Sequence, residues 1–400
     1  MKVLMLGWEL PPNNSGGLGV ACLQLSKALN AAGADIDFIL PYYHEPSYDF
    51  MRVISAFGPE FGRRLEIKAY ESYRYFLEDG SFVDLDMSDQ QSAYTKLVGR
   101  LADRLEFDVI HAHDWLTFRA ALLARQKKNV PLILHVHSIE RDRAGGQPGN
   151  PWVREVEATA MLLADHVIAV SERTKQMICE DYGIPQNKVE VVHNSLDISD
   201  VQPVDGQNAF RYLEALKANG WKVVASVGRL TIQKGLPHLI SAASEVVKHL
   251  PNTVFLFVGD GEQRDELLEQ AAAAGIAPNV IFTGFQRGKR WRDAYSIADL
   301  FVMPSVSEPF GLTPYEAAAY STPSLVSKQS GVSETFQNCL KVDFWDINEM
   351  TNKMVAVLRE GPLQAELSRN AGYEFQRLGW NEAAGRIIRR YNQFAERVPV

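Results

Sequence analysis

Apolar positions along the chain come mostly in short runs that meet turn residues. Val3 to Leu6 predicts a buried strand, followed by a Pro/Asn/Ser loop, Gly16-Gly-Leu-Gly19, and a helix bearing Val20, Leu23, Leu25, Ala28 and Leu29 that ends near Gly33. Ile36 to Leu40 predicts a second strand. Strand-like runs recur at Phe107 to Trp115, Val130 to Asp142, Asp165 to Ser171 and Lys188 to His193, with helices at Thr117 to Gln126 and from Ser171-Glu172 to Tyr182-Gly183. The polar, turn-rich stretch Ile198 to Gly206 interrupts the rhythm. It restarts with strands at Lys222 to Val227, Thr253 to Val258, Asn279 to Thr283 and Leu300 to Met303, a helix at Pro237 to Leu250, and an amphipathic helix at Trp380 to Ala395. Short apolar strands alternating with helices predict α/β domains whose parallel sheets are covered on both faces and bind ligands at the strand carboxyl ends.

Four hundred residues exceed what one hydrophobic core supports, so two domains of similar size are expected. A net charge of -8 argues against nucleic acid as a partner. Cys22, Cys179 and Cys339 are widely spaced, which fits a reducing compartment better than a disulfide framework or a cysteine zinc site. No apolar run is long enough to span a bilayer, and the opening apolar run is too short for a signal peptide, so the expected location is cytoplasmic. Residues 42 to 94 lack clear periodicity, with candidate strands at Arg52 to Ala56 and Leu65 to Tyr70. Tyr42, Tyr43, Tyr48, Phe50, Tyr73, Tyr75 and Phe76 there are either stacking platforms for sugar rings or core anchors.

Candidate chemistry gathers at the predicted strand ends. The pairs His111/His113 and His135/His137 each sit where a strand runs into a loop, and alternate strand residues share a face, so the imidazoles either converge on the ligand crevice or bind a metal. The glycines at 16 to 19 lie too far past the first strand for the tight dinucleotide turn; they suit either phosphate approach or a plain helix start. In Ser307 to Glu316, Thr313 is a candidate N-cap, Pro314 a first-turn residue and Glu316 the third member of a capping box, whereas Glu308 lies in the loop before the helix.

These pieces in order, Gly16-Gly-Leu-Gly19, His111-Ala-His-Asp114, His137-Ser138, His193-Asn194 with Asp197, Gly228-Arg229 with Lys234-Gly235, Gly259-Asp-Gly261 and Glu308 with Glu316, resemble glycosyltransferases of family 4, similar in outline to glycogen and starch synthases. The resemblance implies a GT-B fold: two Rossmann-like domains at 1–197 and 198–377 facing across a cleft, with residues 378–400 returning to the first. It implies a retaining hexosyltransferase that uses a nucleoside-diphosphate sugar and a carbohydrate acceptor, with glucose and an α-glucan as first candidates and no metal or other cofactor. Arg229 and Lys234 match the basic pair on the donor diphosphate, and Glu308 the contact to the transferred sugar. His137 matches a histidine beside that sugar, and Glu316 a ribose contact. Gly16, Gly17, Gly228, Gly311, Leu312 and Thr313 match donor-binding backbone. One departure stands out: Asn14-Ser15 precede Gly16 where bacterial glycogen synthases carry Lys-x-Gly-Gly. The alternatives are a small or lipid-linked acceptor, a non-catalytic nucleotide-sugar or glycan-binding protein, and a nucleotide-sugar epimerase on the same fold.

Overall fold

The computed structural model describes residues 1–14, 16–55, 64–68, 72–76 and 82–396, with 64–68, 72–76 and 82–85 described by backbone alone. The side chains of Tyr73, Tyr75 and Phe76, expected as stacking platforms or anchors, therefore lie outside what is described, as do Ala56, Tyr70 and Ser15. The chain divides into two compact units. The first comprises Met1–Glu140, Pro148–Ser195 and the chain from Trp380; the second comprises Arg141–Gln147 and Leu196–Gly379.

In chain order the elements up to residue 191 are β1 (Lys2–Leu6), α1 (Gly17–Ala31), β2 (Asp35–Leu40), β3 (Arg52–Ser55), β4 (Arg64–Lys68), β5 (Ser72–Phe76), β6 (Phe82–Asp86), α2 (Met87–Ala102), β7 (Val109–His113), α3 (Trp115–Lys128), β8 (Leu132–Val136), α4 (Glu140–Arg143), α5 (Pro151–Leu163), β9 (His166–Ala169), α6 (Glu172–Tyr182) and β10 (Val189–Val191). Then come α7 (Arg211–Ala218), β11 (Lys222–Val227), α8 (Leu236–His249), β12 (Thr253–Val258), α9 (Arg264–Ala273), β13 (Val280–Phe282), α10 (Gly288–Ile297), β14 (Leu300–Met303), α11 (Thr313–Ala319), β15 (Ser324–Ser327), α12 (Val332–Thr335), β16 (Leu340–Val342), α13 (Ile347–Arg359), α14 (Gly361–Phe375) and α15 (Asn381–Ala395).

The first unit is built on a seven-stranded parallel sheet in the order β10-β9-β8-β7-β1-β2-β3. Its central strands are apolar and buried along their length because helices cover both faces. The chain winds outward from β1 to β3 and then returns to β7, which makes the β1/β7 gap the switch point of this sheet. Residues 64–68, 72–76 and 82–86 form a separate three-stranded antiparallel sheet, of which the candidate strand at Leu65 to Tyr70 marks the first member. The last helix, α15, belongs to this unit. Trp380 Nε1 donates to Gln24 Oε1 at 2.9 Å, and Arg386 and Arg390 reach Glu190 at 2.8 and 2.6 Å.

The second unit holds a six-stranded parallel sheet ordered β13-β12-β11-β14-β15-β16, whose switch point lies between β11 and β14. Among the described residues, no helix is long and apolar enough to cross a membrane.

Two local expectations change. The first helix begins at Gly17, so Gly17 to Gly19 form its first turn and not a loop ahead of it. The helix after Glu308 begins at Thr313 with Leu312 in the cap position, and no side chain caps it. Thr313 Oγ1 is instead directed at Met303 Sδ, 3.5 Å away, and the capping box does not form because the Glu316 carboxylate is engaged elsewhere.

Burial acts to raise the Glu190 carboxyl, but hydrogen bonds from His166, Arg390 and Arg386 outweigh it and hold the group well below the usual carboxylate range. A depressed acid stabilises the fold above its unfolded pKa and loses that contribution as pH falls. Glu190→Gln is therefore expected to destabilise the first unit by roughly 1.5–3 kcal/mol at neutral pH, and by progressively less as pH falls below about 4.5, measured by urea denaturation across that range.

Candidate functional site

In the second unit, the sequence candidates meet at the β11/β14 switch point. Gly228 and Arg229 follow β11 directly, and its N–H bond to Val258 O keeps Gly228 in register with β12. A single turn, Ile232–Lys234, then presents Lys234, and Gly235 ends it at φ +64. A Cβ at Gly235 would lie 2.2 Å from Pro304 O, so only glycine lets this turn press against the chain leaving β14. Gly228, Arg229, Lys234, Met303, Ser305 and Thr313 line one pocket.

The principal interaction there crosses the switch point. Lys234 Nζ lies 2.5 Å from Glu308 Oε2, which also accepts from Ser305 Oγ at 3.1 Å. Glu308 is buried, and its backbone is fixed on both sides: its N–H donates to Gln329 O at 2.9 Å and its carbonyl accepts from Gly331 N–H at 3.0 Å. Gly311, at φ +94, brings the chain back so closely that a Cβ would stand 2.9 Å from Glu308 Cγ. Leu312 and Thr313 then open α11. The expected Arg229–Lys234 pair thus has a carboxylate built into it, and Lys234 also acts electrostatically on Glu316.

Glu316, on the first turn of α11, accepts from Tyr295 Oη at 2.5 Å. Burial of its carboxyl raises the pKa to about 7, against the lowering influence of the Tyr295 hydroxyl and of Lys234. Tyr295 was not foreseen from sequence. It lies on α10, whose buried residues include the adjacent pair Arg292 and Asp293, 2.9 Å apart, beside Ala294 and Tyr295.

The first unit carries its own polar cluster at strand carboxyl ends. His111 and His113 on β7 and His135 and His137 along β8 and just beyond it stack on one face, with ring centroids 4.3–4.5 Å apart within each pair. His113 Nδ1 and His137 Nε2 are 2.9 Å apart, His111 Nε2 and His135 Nδ1 3.3 Å apart, and His111 Nδ1 bonds to Tyr391 Oη of α15. Burial lowers all four pKa values, those of His111 and His137 to about 3, so the stack is neutral at pH 7 and His137 offers no cationic proton donor. Cys22, His113 and His137, and likewise His111, His113 and His135, approach closely enough to hold a metal. The rings contact one another nitrogen to nitrogen, while His113 Nε2, His135 Nε2 and His137 Nδ1 have no hydrogen-bond partner among the described residues.

Asp114, part of a recognised motif but given no role from sequence, holds the His137 loop. Its Oδ1 accepts from His137 N–H at 2.6 Å and Ser138 N–H at 3.1 Å, with its own backbone at φ 59. A non-glycine residue in that region, bonded this way, is the positional signal that sequence alone does not display. Gly16 has open space around its Cβ position, and the Glu9 carboxylate accepts from Gly19 N–H at 3.4 Å in the first turn of α1.

Two parallel-sheet units, the second gathering basic and acidic side chains at its switch point, define a GT-B glycosyltransferase, and comparison with known proteins agrees. The family model described as "Glycosyltransferase Family 4" matches residues 15–200, and that described as "Glycosyl transferases group 1" matches 213–372. The chain belongs to these glycosyltransferases and is a sugar-transferring enzyme. It is 28% identical over 342 residues to an uncharacterized glycosyltransferase of Methanocaldococcus jannaschii, covering 84% of this chain and 83% of that one. It is 29% identical to a glycogen synthase of Mycobacterium tuberculosis (84% and 80%), and 28% identical to a D-inositol 3-phosphate glycosyltransferase of Xylanimonas cellulosilytica (100% and 98%). The fold matches sucrose-phosphate synthase of Thermosynechococcus elongatus with a TM-score of 0.75 at 21% identity, over 98% of both chains.

Glu316 has a folded pKa above its unfolded value, so the folded state binds the extra proton and stability falls as pH rises from about 4.5 to 7. Glu316→Gln is expected to remove this slope, so that the wild-type advantage shrinks across the window in paired denaturation curves. A constant difference between the two proteins would contradict the raised pKa.

Proposed function

We propose that the protein is a retaining glycosyltransferase that moves a hexose from a nucleoside-diphosphate sugar to a carbohydrate acceptor. The observation that carries this reading is the convergence of Gly228, Arg229, Lys234, Ser305 and Thr313 on one pocket at the β11/β14 switch point, with Glu308 bonded to Lys234. In this reading the acceptor hydroxyl attacks C1 on the face from which the diphosphate leaves. The C1–O bond breaks with its electron pair passing to the diphosphate, and a departing phosphate oxygen takes the hydroxyl proton. Negative charge grows on the leaving group, so the Arg229 guanidinium and Lys234 ammonium stabilise the transition state more than the intact donor. They supply the compensating charge without a metal.

Gly228, Gly311, Leu312 and Thr313 are assigned to backbone contacts with the donor, Glu308 to hydroxyls of the transferred sugar, and Glu316 to the ribose. Ion-pairing with Lys234 aims Glu308 as an acceptor for hydroxyls; it need not act as a nucleophile, and two glutamates do not by themselves imply glycosidase chemistry. From the first unit, neutral His137 is assigned to sugar orientation, and Gly16 and Gly17 to phosphate approach. Glucose remains the first donor candidate, and the glycogen synthase relative supports a glucan acceptor. The absent lysine before Gly16 and the inositol-phosphate relative support a small-molecule acceptor as the second reading. Cytoplasmic residence is part of the proposal, supported by three free cysteines.

Incubating the purified protein with a mixture of nucleotide sugars and acceptors, and following donors by mass spectrometry, identifies the substrate. Consumption of one donor with release of its nucleoside diphosphate and a glycosylated product is expected. Binding of nucleotide with no turnover would overturn the proposal, and epimerised donor with an intact diphosphate would point to an epimerase. Lys234→Ala is expected to lose about 1.5–3 kcal/mol of transition-state stabilisation, chiefly in kcat, since one charged hydrogen bond is removed and the buried Glu308 carboxylate is left without its cation. Steady-state kinetics on the identified donor measures this.

A further inference from the structure

The second unit includes a segment that sequence order places far from its sheet. Arg141–Gln147 lies between stretches of the first unit, yet it clusters with Leu196–Gly379. The segment closes on itself through Gly145 N–H to Asp142 O at 3.1 Å and Gly146 N–H to Arg141 O at 2.8 Å. Its contacts reach both arms of the Lys234–Glu308 pair. On the Glu308 arm, Ser307 Oγ donates to Asp142 Oδ1 at 2.6 Å, and both residues are buried, Asp142 at 0% exposure and Ser307 at 1%. On the Lys234 arm, a Cβ at Gly145 would lie 3.2 Å from Ile232 Cγ1, so the segment packs tightly against the turn that presents the lysine.

We propose that Asp142 is a positioning residue for this pair: by holding Ser307 it sets the Glu308 loop, and its segment holds the Lys234 turn. A charge-assisted O–H···O bond of this length is strong and directional, and it fixes the residue immediately before Glu308. The Glu308 backbone is held by Gln329 and Gly331, and Val306 N–H donates to Gln233 O at 2.9 Å, so Asp142 adds the side-chain restraint on the intervening Ser307. Small displacements of groups that touch reacting atoms cost rate out of proportion to stability, which is why such a brace affects turnover before folding. This role rests on the proposed function for its effect on catalysis, but its effect on the loop does not.

The test uses Asp142→Ala, Asp142→Asn, Ser307→Ala and the Asp142→Ala/Ser307→Ala double variant of the full chain. Asp142→Ala and Ser307→Ala are each expected to lower kcat by roughly tenfold, with the double variant no worse than either and Asp142→Asn, which keeps an acceptor oxygen, largely restored. Calorimetric affinity for UDP or ADP alone should change by less than about threefold, since the nucleotide itself is not what the Ser307 bond positions. Hydrogen exchange supplies a readout that needs no activity: the 305–312 backbone should exchange faster in Asp142→Ala and Ser307→Ala. Unchanged exchange in Ser307→Ala overturns the brace, as do multiplying losses in the double variant. Absence of any wild-type transfer alongside faster loop exchange overturns the proposed function and leaves the brace standing.

Discussion

An ammonium and a carboxylate 2.5 Å apart and mostly shielded from water are stable only where their surroundings are fixed in advance. The Lys234–Glu308 pair meets that condition because each partner emerges from a different strand at the switch point of one sheet. Parallel pairing of β11 with β14 sets the separation of the two exits, and the Gly235 and Gly311 turns take up the remaining slack. Nearly every other feature of the second unit's site is explained by the need to hold this pair. Ser305 shares the Glu308 oxygen, Gln329 and Gly331 bind its backbone, and Tyr295 engages the neighbouring glutamate, which would otherwise compete for the same lysine. A cation already balanced by a carboxylate costs less to keep buried.

The first unit solves a different problem with neutral groups. Four imidazoles packed on one face of a buried sheet cannot carry charge, so they pair with one another and with Tyr391. The Asp114 carboxylate binds the loop beyond β8, accepting from the His137 and Ser138 N–H groups and from Ser138 Oγ. The consequence is an uncharged shelf at the strand carboxyl ends, without a cationic proton donor near neutral pH. The C-terminal helix completes this shelf, which explains why its Tyr391 is fully buried while its arginines are tied to Glu190 at the sheet edge.

The two glutamates show how one residue type is given two different sets of partners by its surroundings. Glu308 sits against an ammonium and a serine hydroxyl, whereas Glu316 sits against a phenol, with burial raising its pKa to about 7. A donor that brings diphosphate charge towards Lys234 would weaken the lysine's pull on Glu316 as well, so the three groups form one coupled electrostatic unit.

Most strands of the two parallel sheets were legible in the chain because buried strands are short apolar runs, whereas β15 and β16, with only two apolar residues each, were not. The motif residues were legible through their order and spacing along the chain, which carry the resemblance to family 4 glycosyltransferases. The antiparallel sheet was legible only in part: Leu65 to Tyr70 marked the strand Arg64–Lys68, while Ser72–Phe76 and Phe82–Asp86 went unmarked. The helix α10 also went unmarked, although Trp291, Ala294 and Tyr295 recur in it at helical spacing. Caps and partners were decided in three dimensions. Thr313 and Glu316 satisfy a capping-box spacing, but a carboxylate cannot cap its own helix and bond Tyr295 at once, and the phenol prevailed. The sequence by itself determined which residues stand at the strand ends. Only tertiary packing decided which of them meet, because Lys234 with Glu308, Asp142 with Ser307 and His111 with Tyr391 are each brought together by chain segments far apart in order.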